Sequence, residues 1–293
     1  MKTAFEQIVN AKNIGACENC VSQSEIFSLA MSEKLKPARL DTEKTLLLVV
    51  DLQRDFLEGG ALPVKGAMRD ALNLSRFIYD NIENISSIAA TCDTHTPMQI
   101  FHACWWKDAK GNPPAPFTII TKEAVMSGRF VAQAMPDESL KYLEALEHEG
   151  KKQLCIWPYH CLEESCGAAL ETQFLNMANF FAIARKAEFR KFHKGQIAFS
   201  EFYGALYPEY RAAGTENREL IDFVLNYDRI IIAGEAMDYC VYETTKQLCE
   251  ELEKNDKSTR LCLLTNCTSS IGARDKAKAQ YAELKQKYAL EFI

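Results

Sequence analysis

No apolar run in this 293-residue chain approaches the roughly 20 residues that span a bilayer as a helix, so a spanning segment is not expected. The opening stretch, MKTAFEQIVNAKNIG, lacks an apolar core followed by a small-residue cleavage site, so it does not read as a secretory signal. Basic blocks and basic–aromatic stripes are missing as well. Acids and bases are interspersed around a net charge of −6, which argues against a nucleic-acid surface. Internal repeats and low-complexity tracts are also absent. A cytoplasmic protein with neither a membrane nor a nucleic-acid partner is the expectation.

Hydrophobic residues make up 47% of the chain, enough to bury the core of one large domain. Its eleven cysteines are odd in number and scattered through apolar segments, unlike a small disulfide framework. Cys17 and Cys20 form a lone CxxC with no second ligand pair nearby and no preceding strand, which favours chance or minor structure over a zinc or redox motif. Residues 1–40 lack a clean period and read as an N-terminal extension to a domain over 41–293. Short continuous apolar runs then recur: TLLLVVD to Asp51, ISSIAATCD to Asp93, KKQLCIW to Trp157, DRIIIAG to Gly234 and RLCLLTN to Asn266. A weaker run, EFRKFHKG, ends at Gly195. Helical patterns separate most of them, so about six buried strands in a parallel sheet with helices on both faces are expected. The segment 103–150, with its proline cluster and bulky aromatics, breaks the rhythm and reads as an insertion.

Open α/β sheets bind ligands beyond the carboxyl ends of their strands. The expected strand ends deliver Asp51, Asp93 with His95, His160, Lys194 and Cys240. Cys240 begins a helical pattern, where backbone N–H groups and the helix dipole favour a thiolate; Cys161 is a rival nucleophile. Asp51, at the end of a very apolar strand, suits a general base or a turn aspartate. Lys194 can sit between the two, with Lys191 as competitor. Asp93 and His95 alternate onto one side of an extended segment. Together with His160, and His102 as a further candidate, they suit one divalent transition metal: zinc first, iron or manganese next. Of only five histidines, three fall in the two short motifs around these residues.

The stretches LLLVVDLQRDFLEGGAL, CDTHTPMQIFH, IWPYHC, HKGQIAFSEFYGAL and IIIAGEAMDYCVYETT, in that order, resemble the isochorismatase-like cysteine hydrolases, and within them the nicotinamidases. The resemblance implies a three-layer α/β/α fold with a six-stranded parallel sheet, and a triad of Asp51, Lys194 and Cys240. It also implies a cis peptide at Glu235-Ala236, and an oxyanion hole from the amides of Ala236 and Cys240. Asp93, His95 and His160 match the metal ligands; Phe56, Trp105 or Trp106, and Tyr203 match the aromatic pocket. The implied activity is hydrolysis of a small amide, nicotinamide, through a cysteine thioester by a homo-oligomeric enzyme. The alternatives are another small amide, isochorismate, or a non-catalytic small-molecule binding protein. The chain departs from the family pattern at Thr94, Glu163, Glu235 and the stretch SEFYGAL, changes that leave the triad and metal residues intact and bear on the shape and charge of the pocket, hence on the substrate.

Overall fold

Six strands carry the sheet: β1 (Thr45–Val50), β2 (Ser87–Asp93), β3 (Glu188–Lys194), β4 (Arg229–Gly234), β5 (Arg260–Leu263) and β6 (Leu290–Phe292). In the computed structural model, which describes residues 1–211 and 215–293, their order is β6-β5-β4-β1-β2-β3. Every neighbouring pair is parallel. All of β1 and β2 is buried, as continuous apolar runs covered on both faces require.

Parallel neighbours need crossovers, and these are almost always right-handed. The β1-to-β2 crossover runs through helix α2 (Ala67–Asp80), with α4 (Thr172–Arg185) preceding β3 on the same side. The crossovers from β4 to β5 and from β5 to β6 run the opposite way, through α5 (Cys240–Lys254) and α6 (Arg274–Lys287). Opposite directions with one hand place the two helix pairs on opposite faces, which gives the three expected layers. The direction changes between β1 and β4, and a crevice opens beyond the carboxyl ends of these two strands. Gly234 permits their close approach: it has φ +109°, and a Cβ there would lie 2.0 Å from the carbonyl oxygen of Val50.

Two strand expectations are corrected. KKQLCIW does not enter the sheet. Leu154–Cys155 instead pairs antiparallel with Ile119–Ile120, while Trp106–Asp108 pairs with Phe130–Ala132. The run is apolar because Leu154, Ile156 and Trp157 are buried against this excursion, which carries its own helix, α3 (Pro136–His148). The sixth strand is β6, three residues at the sheet edge, too short to stand out as an apolar run. Residues 1–40 hold α1 (Gln23–Met31), which packs on α4. Phe5, Ile8, Val9, Ile26 and Ala30 join the main core. Among the described residues, no helix is long and apolar enough to cross a membrane.

Candidate active site

Asp51 is the first residue after β1 and is fully buried, with φ +47°. That left-handed conformation is uncommon for a residue with a Cβ, and such outliers concentrate at functional sites. Thr91 on β2 holds it: Thr91 Oγ1 donates to Asp51 Oδ1 at 2.6 Å. Asp93 and Lys194 end β2 and β3 and are partners in register, so their side chains leave the sheet on the same side. Lys194 Nζ lies 2.8 Å from Asp51 Oδ2, 2.6 Å from Asp93 Oδ1 and 3.6 Å from Cys240 Sγ, and donates to the Phe202 carbonyl at 2.9 Å. Cys240 is the first residue of α5. The structure thus brings Asp51, Lys194 and Cys240 together. Cys161 is buried in a loop after His160, and Lys191 is exposed on β3.

Charge in this cluster is set by burial against mutual pairing. Burial raises Asp51 to about 6, with Lys194 opposing and Asp93 adding to the rise. Burial also works against ionisation of Asp93, but Lys194 and His95 overrule it and hold that carboxyl below its ordinary range. Lys194 is pushed well up: its burial is outweighed by the two carboxylates and the thiol. The expected thiolate at Cys240 is not the resting form. Burial pushes this thiol well above its ordinary value, and Asp51 and Asp93 oppose the pull of Lys194. A helix N-terminus is a modest influence beside complete desolvation and two nearby carboxylates.

Asp93, His95 and His160 each offer a ligand atom within 4.8 Å of the others. His95 Nδ1 lies 3.0 Å from the Gly195 carbonyl and His160 Nδ1 lies 2.8 Å from the Pro158 carbonyl. A carbonyl only accepts, so both Nδ1 atoms carry the proton and both Nε2 lone pairs are free for a cation. Gly195 makes room: a Cβ there would meet His95 Cε1 at 2.5 Å. One carboxylate and two such imidazoles fit a divalent transition metal. His102 has the same tautomer, with Nδ1 3.0 Å from the Pro97 carbonyl and Nε2 unpartnered among the described residues. It stands outside the cluster, its ring 6.2 Å from that of His95 and 6.4 Å from that of His160.

The cleft joining these groups is lined by Phe56, Trp157, Glu201, Tyr203, Tyr239 and Ile271 together with Asp93, His95, His160, Ala236 and Cys240. Phe56 and Tyr203 therefore stand where expected. Trp105 and Trp106 do not: both are buried in the excursion, with indole N–H groups donating to Ser139 Oγ and the Ile100 carbonyl. The indole in the cleft is Trp157, three residues before His160 in the same IWPYHC stretch, a spacing that could have identified it. Its Nε1 donates to Glu201 Oε1 at 2.8 Å, and Tyr203 Oη donates to the same oxygen at 3.0 Å. Burial raises Glu201 to about 8 despite these donors. Glu201 lies within SEFYGAL, one of the stretches that depart from the family pattern, and its sequence neighbours carry no sign of its place in the cleft.

The Glu235-Ala236 peptide is cis, as expected. The Glu235 side chain turns away from the cleft, where Oε2 accepts from the Ser269 amide at 3.1 Å. Thr94 Oγ1 pairs with His193 Nδ1 at 2.8 Å and Glu163 is exposed. None of these three lines the cleft.

No protein-family model and no curated protein matches the chain. Solved structures do. The nicotinamidase/pyrazinamidase of Acinetobacter baumanii is 18% identical, with 86% of this chain and 97% of that chain covered at a TM-score of 0.61. The yeast nicotinamidase bound to the inhibitor nicotinaldehyde is 20% identical, covering 85% and 100% at a TM-score of 0.62. The pyrazinamidase of Pyrococcus horikoshii in complex with zinc is 19% identical, covering 85% and 98% at 0.50. What they share with this chain is the fold.

Proposed function

We propose that the chain is a cysteine amidohydrolase acting on nicotinamide or a closely related small heteroaromatic amide. One observation carries the reading: a buried lysine lies within 3.6 Å of a thiol at a helix start and within 2.8 Å of a carboxylate, beside a second carboxylate and two imidazoles in the same cleft. The names of the structural neighbours support the substrate class.

Asp51, raised to about 6, is a base strong enough to take the Cys240 proton near neutral pH and to return it afterwards. As that proton leaves, Lys194 stabilises the thiolate. Sγ attacks the carboxamide carbon, and the oxyanion falls to the amides of Ala236 and Cys240, neither of which donates within the described residues. Asp51 then protonates the departing ammonia. Water hydrolyses the thioester, releasing the carboxylate and restoring the thiol. A divalent ion held by Asp93, His95 and His160 would supply a Lewis-acid position for a pyridine nitrogen and so fix which way the ring faces. Phe56, Trp157, Tyr203 and Tyr239 wall the aromatic side of this cleft.

Ammonia release from metal-replete protein tests the reading. Nicotinamide should outpace benzamide, which lacks the ring nitrogen, by roughly two to five orders of magnitude. Cys240→Ala should abolish turnover and leave binding intact. Equal rates for the two amides would remove the metal from substrate positioning. No turnover of either would shift the reading to an amide bearing a further polar group matched to Glu201.

A further inference from the structure

Away from the cleft, residues of the N-terminal segment meet the loop that follows His160. Cys17 Sγ lies 2.6 Å from Cys166 Sγ, closer than two unbonded sulfur atoms ordinarily pack. Both cysteines are exposed, whereas Cys92, Cys161, Cys240, Cys249, Cys262 and Cys267 are buried. The approach is anchored on both sides. Arg54 donates from Nη1 to Cys166 Sγ at 3.0 Å and from Nη2 to the Cys17 carbonyl at 2.8 Å and to Thr172 Oγ1. Thr172, at the start of α4, donates in turn to the Ala16 carbonyl at 3.0 Å. Cys20, the other half of the CxxC, points elsewhere, with Sγ 3.6 Å from Asn10 Nδ2.

We propose that Cys17 and Cys166 form a peroxide-reactive thiol pair that closes to a disulfide, tying the N-terminal segment to the loop beside His160. The Cys166 sulfur attacks one oxygen of hydrogen peroxide; the O–O bond breaks, Cys166 becomes a sulfenic acid and water leaves. Cys17 Sγ then attacks the Cys166 sulfur, the S–OH bond breaks, and a second water leaves with the Cys17 proton. Two thiols and one peroxide thus give one disulfide and two waters, the thiols supplying both electrons.

The two sulfurs are suited to different parts. The contact between the two sulfurs, joined on Cys166 by the Arg54 guanidinium at 3.0 Å, holds the Cys166 thiol below its ordinary value and the Cys17 thiol above its own. Cys166 is thus the attacking thiolate and Cys17 the resolving thiol. Closing the bond needs the sulfurs to move only from 2.6 Å to the roughly 2.05 Å of a disulfide.

The link touches the rim of the cleft. Asp55, next to Arg54, accepts from the Cys161 amide at 2.7 Å and donates its own amide to the Gly167 carbonyl at 3.1 Å. Phe56, the following residue, lines the cleft. A Cys17–Cys166 bond therefore fastens the segment that carries Phe56 and the loop that follows His160 to the N-terminal segment.

The test reads bond formation and is independent of any amide turnover. Native full-length protein is treated with stoichiometric hydrogen peroxide, alkylated, and digested without reduction; cleavage after Glu18 and Glu164 separates Cys17 from Cys20 and Cys166 from Cys161. The expected product is a Cys17–Cys166 peptide pair, lighter by two hydrogens, lost on reduction and absent from protein oxidised in denaturant. Cys17→Ser should stall at a sulfenic acid on Cys166 that dimedone traps. The cross-linked protein should melt about 5 °C or more above the reduced form, since the bond closes a long loop, and Cys166→Ser should show no such shift. A dominant Cys17–Cys20 or Cys20–Cys166 link, oxidation of Cys104 ahead of Cys166, or both thiols left free would overturn the proposal.

Discussion

Lys194 is a fully buried ammonium between two buried carboxylates, and removing one partner of such a group leaves charge with nowhere to go. Lys194→Ala would set Asp51 and Asp93 against each other without a counter-ion. The expected loss is roughly 3–5 kcal/mol, or about 10 °C in Tm, measured by thermal unfolding, with activity gone as well. A Tm within a degree of the parent would mean that one carboxylate already holds a proton in place of the lysine's charge. The run EFRKFHKG left the choice between Lys194 and Lys191 open, because alternation sets Phe189 with Lys191 on one face and Phe192 with Lys194 on the other. Residues three apart on a strand face opposite sides; Phe192 and Lys194 point inward while Lys191 and His193 are exposed. Asp93, His95 and His160 were legible as candidate metal ligands, because DxH alternation and a histidine beyond a buried run are local patterns. Trp157 and Glu201 were not legible as cleft residues. Their place in the cleft depends on how the excursion folds over the sheet, and nothing in their immediate sequence reports that.

Helices and strands tell a similar story one level up. Long apolar runs bounded by helical patterns gave five of the six strands, since burial on both faces leaves a continuous apolar signature. KKQLCIW misled because a short buried run looks the same whether it pairs within the main sheet or on a small excursion. The N-terminal segment was underread. Ser22 and Glu25 form a capping box ahead of α1, with the Ser22 hydroxyl accepting from the Glu25 amide at 3.2 Å, and Ser-x-x-Glu is a recognisable helix start. Ile26, fully buried between α1 and the core, makes the segment part of the folding unit. Ile26→Ala should cost about 2–5 kcal/mol, read as a shift of the urea midpoint at unchanged slope. A shift below about 0.5 kcal/mol, the scale of ordinary surface substitutions, would show that the segment docks without contributing to the fold.

Taken as a whole, the molecule holds carboxyls whose burial keeps them protonated: Glu201 is raised to about 8, Glu209 to about 7, and Glu235 well above its ordinary value. In the unfolded chain each gives up its proton near pH 4.5. Between that value and the folded one the native state binds more protons, so stability falls as pH rises. His160 and His102, lowered by burial to about 3 and about 4, work in the opposite direction, but only up to their unfolded value of 6.5. Metal-free protein should therefore lose Tm between about pH 6.5 and 8, and Glu201→Gln, which keeps an acceptor for Trp157 and Tyr203, should flatten the decline. An unchanged slope in that variant would place the titration elsewhere. The sheet register carries a further consequence, in time rather than in energy. Thr45 pairs with Arg229 and Val50 with Gly234, so the strands that bring Asp51 to Cys240 are among the most distant in sequence that the fold joins. Contacts of that separation are slow to form because the intervening chain must be closed first. After dilution from denaturant, recovery of function cannot precede the meeting of β1 and β4, and will lag behind the return of helical signal.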